Sequence, residues 1–164
     1  MEIKWTPWRR EYIKGTNKEE GCALCTAYQA GNDAEKLVLA RGEHCYVLMN
    51  LYPYNPGHLM VTPYDHTADL ANLPAAAAAE LMTFAQRCVS VLNTALKPHG
   101  FNLGMNLGKP AGAGIDEHLH LHVVPRWNGD TNFMPVIGGV RLIPEAMDDT
   151  YAELKPYFAA DQAS

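Results

Sequence analysis

His118-Leu119-His120-Leu121-His122-Val123-Val124 is the stretch whose reading decides the fold. Successive side chains of a strand point to opposite faces of a sheet. Read as a strand over 118–124, the segment puts His118, His120 and His122 on one face. Leu119, Leu121 and Val123 take the other, where they can enter a core. The β-branched pair Val123-Val124 favours a strand over a helix, and Pro125 helps to end it.

Outward from that strand, Gly108-Lys109-Pro110-Ala111-Gly112-Ala113-Gly114 reads as a glycine-rich loop and 101–107 as the strand before it. Further upstream, Leu81, Phe84, Cys88, Val91, Leu92 and Ala95 recur at helical spacing. They predict one long helix over 67–98 with a single apolar stripe. Pro74 suits its first turn, and Pro98 with Gly100 marks its end. Segments 37–41 and 45–50 read as strands joined by Gly42 and Glu43. Asn55-Pro56-Gly57 is a turn signal before a strand over 58–62. A short strand over 138–143 and a helix over 147–158 follow the histidines. An aromatic and basic arm, 1–21, carries Trp5, Trp8, Arg9, Arg10 and Tyr12. Several strands interrupted by one long helix indicate an α+β domain on an antiparallel sheet. The whole chain, 1–164, reads as one domain, with the arm in front and an extension over 128–164.

Composition narrows the function classes. The 164 residues are 48% hydrophobic, enough for one domain with a real core. Thirteen basic against eighteen acidic side chains leave a net charge of −5. That argues against bulk nucleic-acid or membrane-surface binding. Neither an N-terminal signal core nor an apolar membrane span is visible, so the expected compartment is the cytoplasm. Four cysteines are too few for a disulfide scaffold. Cys45 and Cys88 sit in apolar runs and read as core residues. His44 and His99, beside Gly42-Glu43 and Gly100, read as exposed turn residues.

Three histidines on one strand face leave two chemical readings. The face can bind a metal through imidazoles at i and i+2. Alternatively, one imidazole attacks phosphorus while its neighbours bind anions and move protons. The glycine loop favours the second, because glycines let backbone N–H groups approach an anion closely. Its spacing is not that of a P-loop, and no helix follows it. Cys22-Ala23-Leu24-Cys25 stays open between a redox pair, two unconnected thiols and half of a zinc site.

The histidine stretch, continued by Pro125-Arg126, resembles the signature of the histidine triad (HIT) family. The segment Asn50…Pro56-Gly57-His58-Leu59-Met60-Val61 is similar to that family's Asn…Pro-Gly-His strand, and the likeness spans 22–127. Trp5-Thr6-Pro7-Trp8-Arg9 and Trp127-Asn128-Gly129-Asp130-Thr131-Asn132-Phe133 further resemble the branch of diadenosine tetraphosphate phosphorylases and dinucleoside polyphosphate hydrolases. The resemblance implies a five-stranded antiparallel sheet with one long and one or two shorter helices, dimerising into a continuous sheet. It implies His120 as a nucleophile that carries a nucleotidyl group, with His122 and His58 assisting. Asn50 would hold a ribose. Asn106 and the amides of Ala113 and Gly114 would bind phosphate oxygens. Arg126 and Lys109 are further anion candidates, though solvated surface charges are the plainer reading of both. Many members carry Gln or Ser where this chain has Gly114, which can offer only an N–H. The resemblance also implies a closed structural Zn²⁺ site made by Cys22, Cys25, His66 and His118.

The leading expectation is nucleotidyl transfer on a dinucleoside polyphosphate, with phosphorolysis favoured over hydrolysis. Hydrolysis of nucleoside phosphoramidates stands beside it. A zinc-containing nucleotide-binding module with little catalysis, and a metal-dependent enzyme using the histidine face directly, are the rivals.

Overall fold

The computed structural model describes residues 21–130 and 146–160. The expected strand over 138–143, and the arm apart from Gly21, lie outside the described residues. The elements in chain order are α1 (Ala23–Gln29), β1 (Val38–Arg41), β2 (Cys45–Met49), β3 (Leu59–Pro63), α2 (Ala75–Ala95), β4 (Gly100–Gly104), β5 (Leu121–Arg126) and α3 (Met147–Ala160). A single 3₁₀ turn, Lys109–Ala111, lies in the glycine loop. The strands form one antiparallel sheet in the order β1-β2-β3-β5-β4. This is the α+β architecture expected, with one long and two shorter helices among the described residues.

One face of the sheet carries Leu39, Val47, Leu59, Val61, Leu121 and Val123, which pack on the stripe Leu81, Phe84, Ala85, Cys88, Val91 and Leu92 of α2. Leu154 and Phe158 of α3 complete that core. Cys45 and Cys88 are fully buried, as core residues. On the opposite face Val38, Tyr46, Leu48 and Met60 are covered by Leu24 and Ala27 of α1. Covered on both faces, β2 and β3 are buried at every position, so they read as apolar runs rather than alternations.

Besides β4, which ends at Gly104 rather than at residue 107, three elements differ from the expectation. The long helix begins at Ala75, and Pro74 is its N-cap rather than a first-turn residue. Residues expected to open the helix are held in side-chain turns instead. Asp69 Oδ1 accepts the N–H groups of Ala71 and Asn72, and Thr67 Oγ1 accepts that of Asp69. Such local acceptors compete with helical bonds. At the other end Lys97 (φ 48°) takes the left-handed turn, ahead of Gly100. The short helix α1 was not anticipated; its two turns bury only Leu24 and Ala27.

The third correction falls on the histidine stretch. The strand starts at Leu121, not His118, and runs through Pro125 to Arg126. The β3–β5 ladder pairs Val61 with Leu121 and is not carried beyond it. The next hydrogen-bonding position of β3 belongs to Pro63, which has no N–H to give. Leu119 N–H turns instead to Thr67 O (2.8 Å), and the His118 carbonyl accepts from the His120 ring.

Two further contacts fix the ends of the sheet. The Glu80 carboxylate of α2 accepts three consecutive backbone N–H groups, from Glu43 (2.9 Å), His44 (2.6 Å) and Cys45 (2.6 Å). Along the β1 edge, Tyr151 and Lys155 of α3 donate to the Val38 carbonyl, and Lys155 also to that of Leu39. Among the described residues, no helix is long and apolar enough to cross a membrane.

Candidate functional site

The CxxC sits at the start of α1, with Cys22 as N-cap and Cys25 one turn later. Positions i and i+3 lie on one side of a helix, and here that side faces the loops bearing His66 and His118. Cys22 Sγ is 3.3 Å and Cys25 Sγ 3.5 Å from His118 Nδ1, and Cys25 Sγ is 3.3 Å from His66 Nδ1. The four ligand atoms lie within 4.8 Å of one another. Bonds of about 2.0–2.3 Å from a central zinc would span such separations tetrahedrally.

The surroundings also suit a cation. His118 Nε2–H donates to the Pro63 carbonyl (2.9 Å), which leaves the Nδ1 lone pair for a ligand. Burial lowers the His118 pKa and keeps the ring neutral, as ligation requires. Burial and the neighbouring Cys22 raise the Cys25 pKa, so two thiolates side by side want a compensating charge. The donor set therefore fits zinc.

Two residues on, His120 is 7% exposed. Its Nδ1 lies 2.8 Å from the His118 carbonyl. A carbonyl only accepts, so Nδ1 carries the proton, and in the neutral ring Nε2 keeps a lone pair. The site thus contains an imidazole whose tautomer is set by its own backbone.

A second chain of bonds runs through His58 and His122, both buried. The Tyr54 backbone N–H donates to His58 Nδ1 (3.0 Å). The neutral His58 ring then has its proton on Nε2, which lies 2.9 Å from His122 Nδ1 and donates to it. His122 in turn has its proton on Nε2. The His120 and His122 rings meet edge to face, with centroids 4.9 Å apart. Although the ladder reaches only one of the three, His120 and His122 end side by side, each fixed by a different partner.

Two cavities meet at His122. The first, of about 160 Å³, is bounded by Leu24, Leu48, Met60 and Ile115 and by Asn50, Gly114, His120 and His122. The second, of about 340 Å³, lies toward β4 and is bounded by Tyr54, Asn102, Gly104, Asn106, His122 and Arg126. Asn106 borders both. Asn50 is anchored through its Oδ1, which accepts the Tyr52 N–H (2.9 Å). Gly112 and Gly114 reach the first cavity, whereas the Ala113 N–H turns back to the Gly108 carbonyl (3.4 Å). Lys109 is a surface charge, 3.7 Å from Asp116. Arg126 is not simply solvated. It is held bidentately by Asp130 (2.6 and 2.8 Å) and donates to Asn102 (2.7 Å). Its guanidinium holds the Asp130 carboxyl well below the usual carboxylate range.

His99 is exposed, as expected of a turn residue, while His44 is half-buried. Sequence reasoning missed Tyr54, Asn55 and Asp130. Tyr54 acts through its peptide group, which leaves no mark in the residue type. Asn55 and Asp130 meet across 75 positions, a separation no local pattern reveals.

Comparison with known proteins fits this geometry. The HIT domain model matches residues 32–129. An AP-4-A phosphorylase of Mycobacterium tuberculosis is 46% identical over 157 residues, covering 92% of this chain and 80% of that protein. A bis(5'-adenosyl)-triphosphatase of Dictyostelium discoideum is 33% identical over 84 residues, covering 51% of this chain and 56% of that protein. Among solved structures, a Zn-bound histidine triad family protein from Mycobacterium smegmatis superposes with a TM-score of 0.70 at 28% identity. The match covers 88% of this chain and 98% of that one.

Proposed function

The chain belongs to the HIT family, and from that premise we propose that it cleaves dinucleoside polyphosphates by phosphorolysis through a nucleotidyl-His120 intermediate. One observation carries the reading: the His120 Nδ1 proton is committed to the His118 carbonyl, which leaves Nε2 as a nucleophile beside the first cavity. The 46% identity to an AP-4-A phosphorylase supplies the substrate class and the acceptor.

In the first step His120 Nε2 attacks the α-phosphorus, and the bond from phosphorus to the bridging oxygen breaks. For diadenosine tetraphosphate, AMP stays on nitrogen and ATP leaves. In the second step an oxygen of inorganic phosphate attacks the same phosphorus, the P–N bond breaks, and ADP leaves. Splitting one displacement in two lowers the barrier of each. His122, with its proton on Nε2, donates to the phosphoryl group as charge develops there. His58 maintains that tautomer. Asn50 holds the ribose. Asn106 and the Gly114 amide bind phosphate oxygens, and Gly114 contributes no side chain to that task. Ala113, whose N–H is already engaged, falls out of this set.

Cys22, Cys25, His66 and His118 would hold a structural zinc ion. With four protein ligands such a site has no open position and takes no part in the reaction. Thiols kept reduced for this purpose fit a cytoplasmic enzyme. One domain spans 1–164, and two copies join through β4, whose Asn102, Leu103 and Gly104 are exposed.

Incubation with diadenosine tetraphosphate, with and without phosphate, tests the reading. ADP plus ATP should form, and only when phosphate is present. AMP plus ATP without phosphate would make the protein a hydrolase instead. A His120→Gly variant should lose at least about a thousandfold in turnover while still binding AMP. Unchanged turnover would rule out the intermediate.

A further inference from the structure

The pair His58–His122 works only if one particular nitrogen of His122 carries the proton, and that choice is made outside the rings. It begins at the Tyr54 peptide N–H, 3.0 Å from His58 Nδ1. The position of that peptide depends on the loop 54–58, and a buried amide fastens the loop. Asn55 is 4% exposed. Its Nδ2 donates to the Pro125 carbonyl (2.8 Å) and to Asp130 Oδ2 (2.9 Å). Its own carbonyl accepts the His58 N–H (3.1 Å).

Pro125 lies on β5, three residues after His122. The Asn55 side chain therefore joins the loop that supplies the Tyr54 N–H to the strand that carries His122. Asp130 is held in turn by Arg126 and by the Trp127 N–H (3.2 Å). Both Asn55 Nδ2 hydrogens are used, and neither goes to substrate. A buried amide spent this way is costly to replace, because the deserted Pro125 carbonyl is buried and loses a bond it cannot recover from water.

We propose that Asn55, seated on Asp130, is a positioning residue: it holds the Tyr54 peptide against His58 and so sets the proton on His122 Nε2. The inference rests on the reading that His122 assists transfer at His120. Without Asn55 the loop can withdraw the Tyr54 N–H, and His58 is free to take either tautomer. A His58 proton on Nδ1 leaves Nε2 as an acceptor. His122 must then donate from Nδ1, which takes its proton away from the reacting phosphoryl group. A wrong tautomer of this kind removes the benefit of a general acid.

The test follows ring protons directly. The full-length protein, labelled with ¹⁵N in its histidine rings, is examined by long-range ¹H–¹⁵N correlation at about pH 8, above the ordinary imidazole range. The wild type should show both His58 and His122 protonated at Nε2 only. Asn55→Ala should show His122 as a mixture of tautomers. Its kcat for diadenosine tetraphosphate should fall roughly ten- to a hundredfold, more than KM rises. Asp130→Ala, at a more accessible position, removes one of the two acceptors. It should shift both readouts in the same direction but less, and it decides the matter if Asn55→Ala does not fold. A wild-type His122 protonated at Nδ1 overturns the proposal. So does a variant with lowered Tm and an unaltered His122 tautomer. Absence of dinucleotide turnover in the wild type would defeat the proposed reaction, whereas the tautomer measurement would still decide the role of Asn55.

Discussion

Gly57 shows how narrowly a single residue can be constrained. It sits at φ 71°, in the left-handed region, and a Cβ built there would lie 2.5 Å from Leu96 Cδ1 and 3.0 Å from Leu92 Cδ2. The backbone angle strains any side chain there, and the ends of Leu96 and Leu92 would have to shift to admit one. Gly57→Ala should destabilise the fold by about 1–3 kcal/mol, read as a lower urea midpoint at unchanged m. It should also disturb His58, the next residue. Asp130 gives a pH-dependent case. Its carboxyl is depressed in the folded state, chiefly by the hydrogen bonds from Arg126. A depressed folded pKa adds stability above the ordinary carboxylate value of about 3.9 and loses it as the pH falls through the folded value. The stability difference between wild type and Asp130→Asn should therefore be present at neutral pH and shrink below about pH 4. A difference constant down to strong acid would refute the assignment.

At the scale of the element, α1 is the informative case. Seven residues do not make a helix stable by itself. Leu24 and Ala27 bury one face, and the two sulfurs lie against His66 and His118 on the adjoining loops. Ala23 and Leu24 also border the first cavity. Treatment with a strong chelator, or Cys25→Ser, should lower Tm and raise KM for the nucleotide more than it lowers kcat. Elemental analysis should find one zinc per chain before treatment. A chelated protein with unaltered Tm would argue against the metal. The same element marks the limit of sequence reading. CxxC was visible, but two turns of helix with two buried side chains give too weak a period to recognise. The histidine alternation was legible too, and the structure brings His120 and His122 together with His58. The ladder boundary was not, because it depends on Pro63, 55 residues from His118.

For the molecule as a whole, the two edges of the sheet differ. The β1 edge is capped by Tyr151 and Lys155 of α3. The β4 edge has β5 on one side and carries Leu103, 47% exposed, with Leu107 following at 49%. Among the described residues no other strand pairs with β4, and a strand edge of this kind with apolar side chains is a template for another strand. A second copy joined there would be detected as a dimer mass by light scattering. Leu103→Arg should shift the population toward monomer, and a wild type monomeric at high concentration would exclude the arrangement. The antiparallel class and the α2 core were read from periodicity. The insertion of β5 between β3 and β4 was not, since strand order is settled by long-range pairing that no local pattern encodes.

The Glu80 carboxylate, seated on three successive amides, has a consequence for opening of the native state. Amides at a hairpin tip ordinarily exchange with solvent deuterium almost at once, because only the local loop must move. Here the Glu43, His44 and Cys45 hydrogens can be released only if the hairpin lifts from α2. Their exchange should therefore follow the slow sub-global opening of the sheet rather than loop fluctuation. The tip of the first hairpin would then be among the last parts of the sheet to yield.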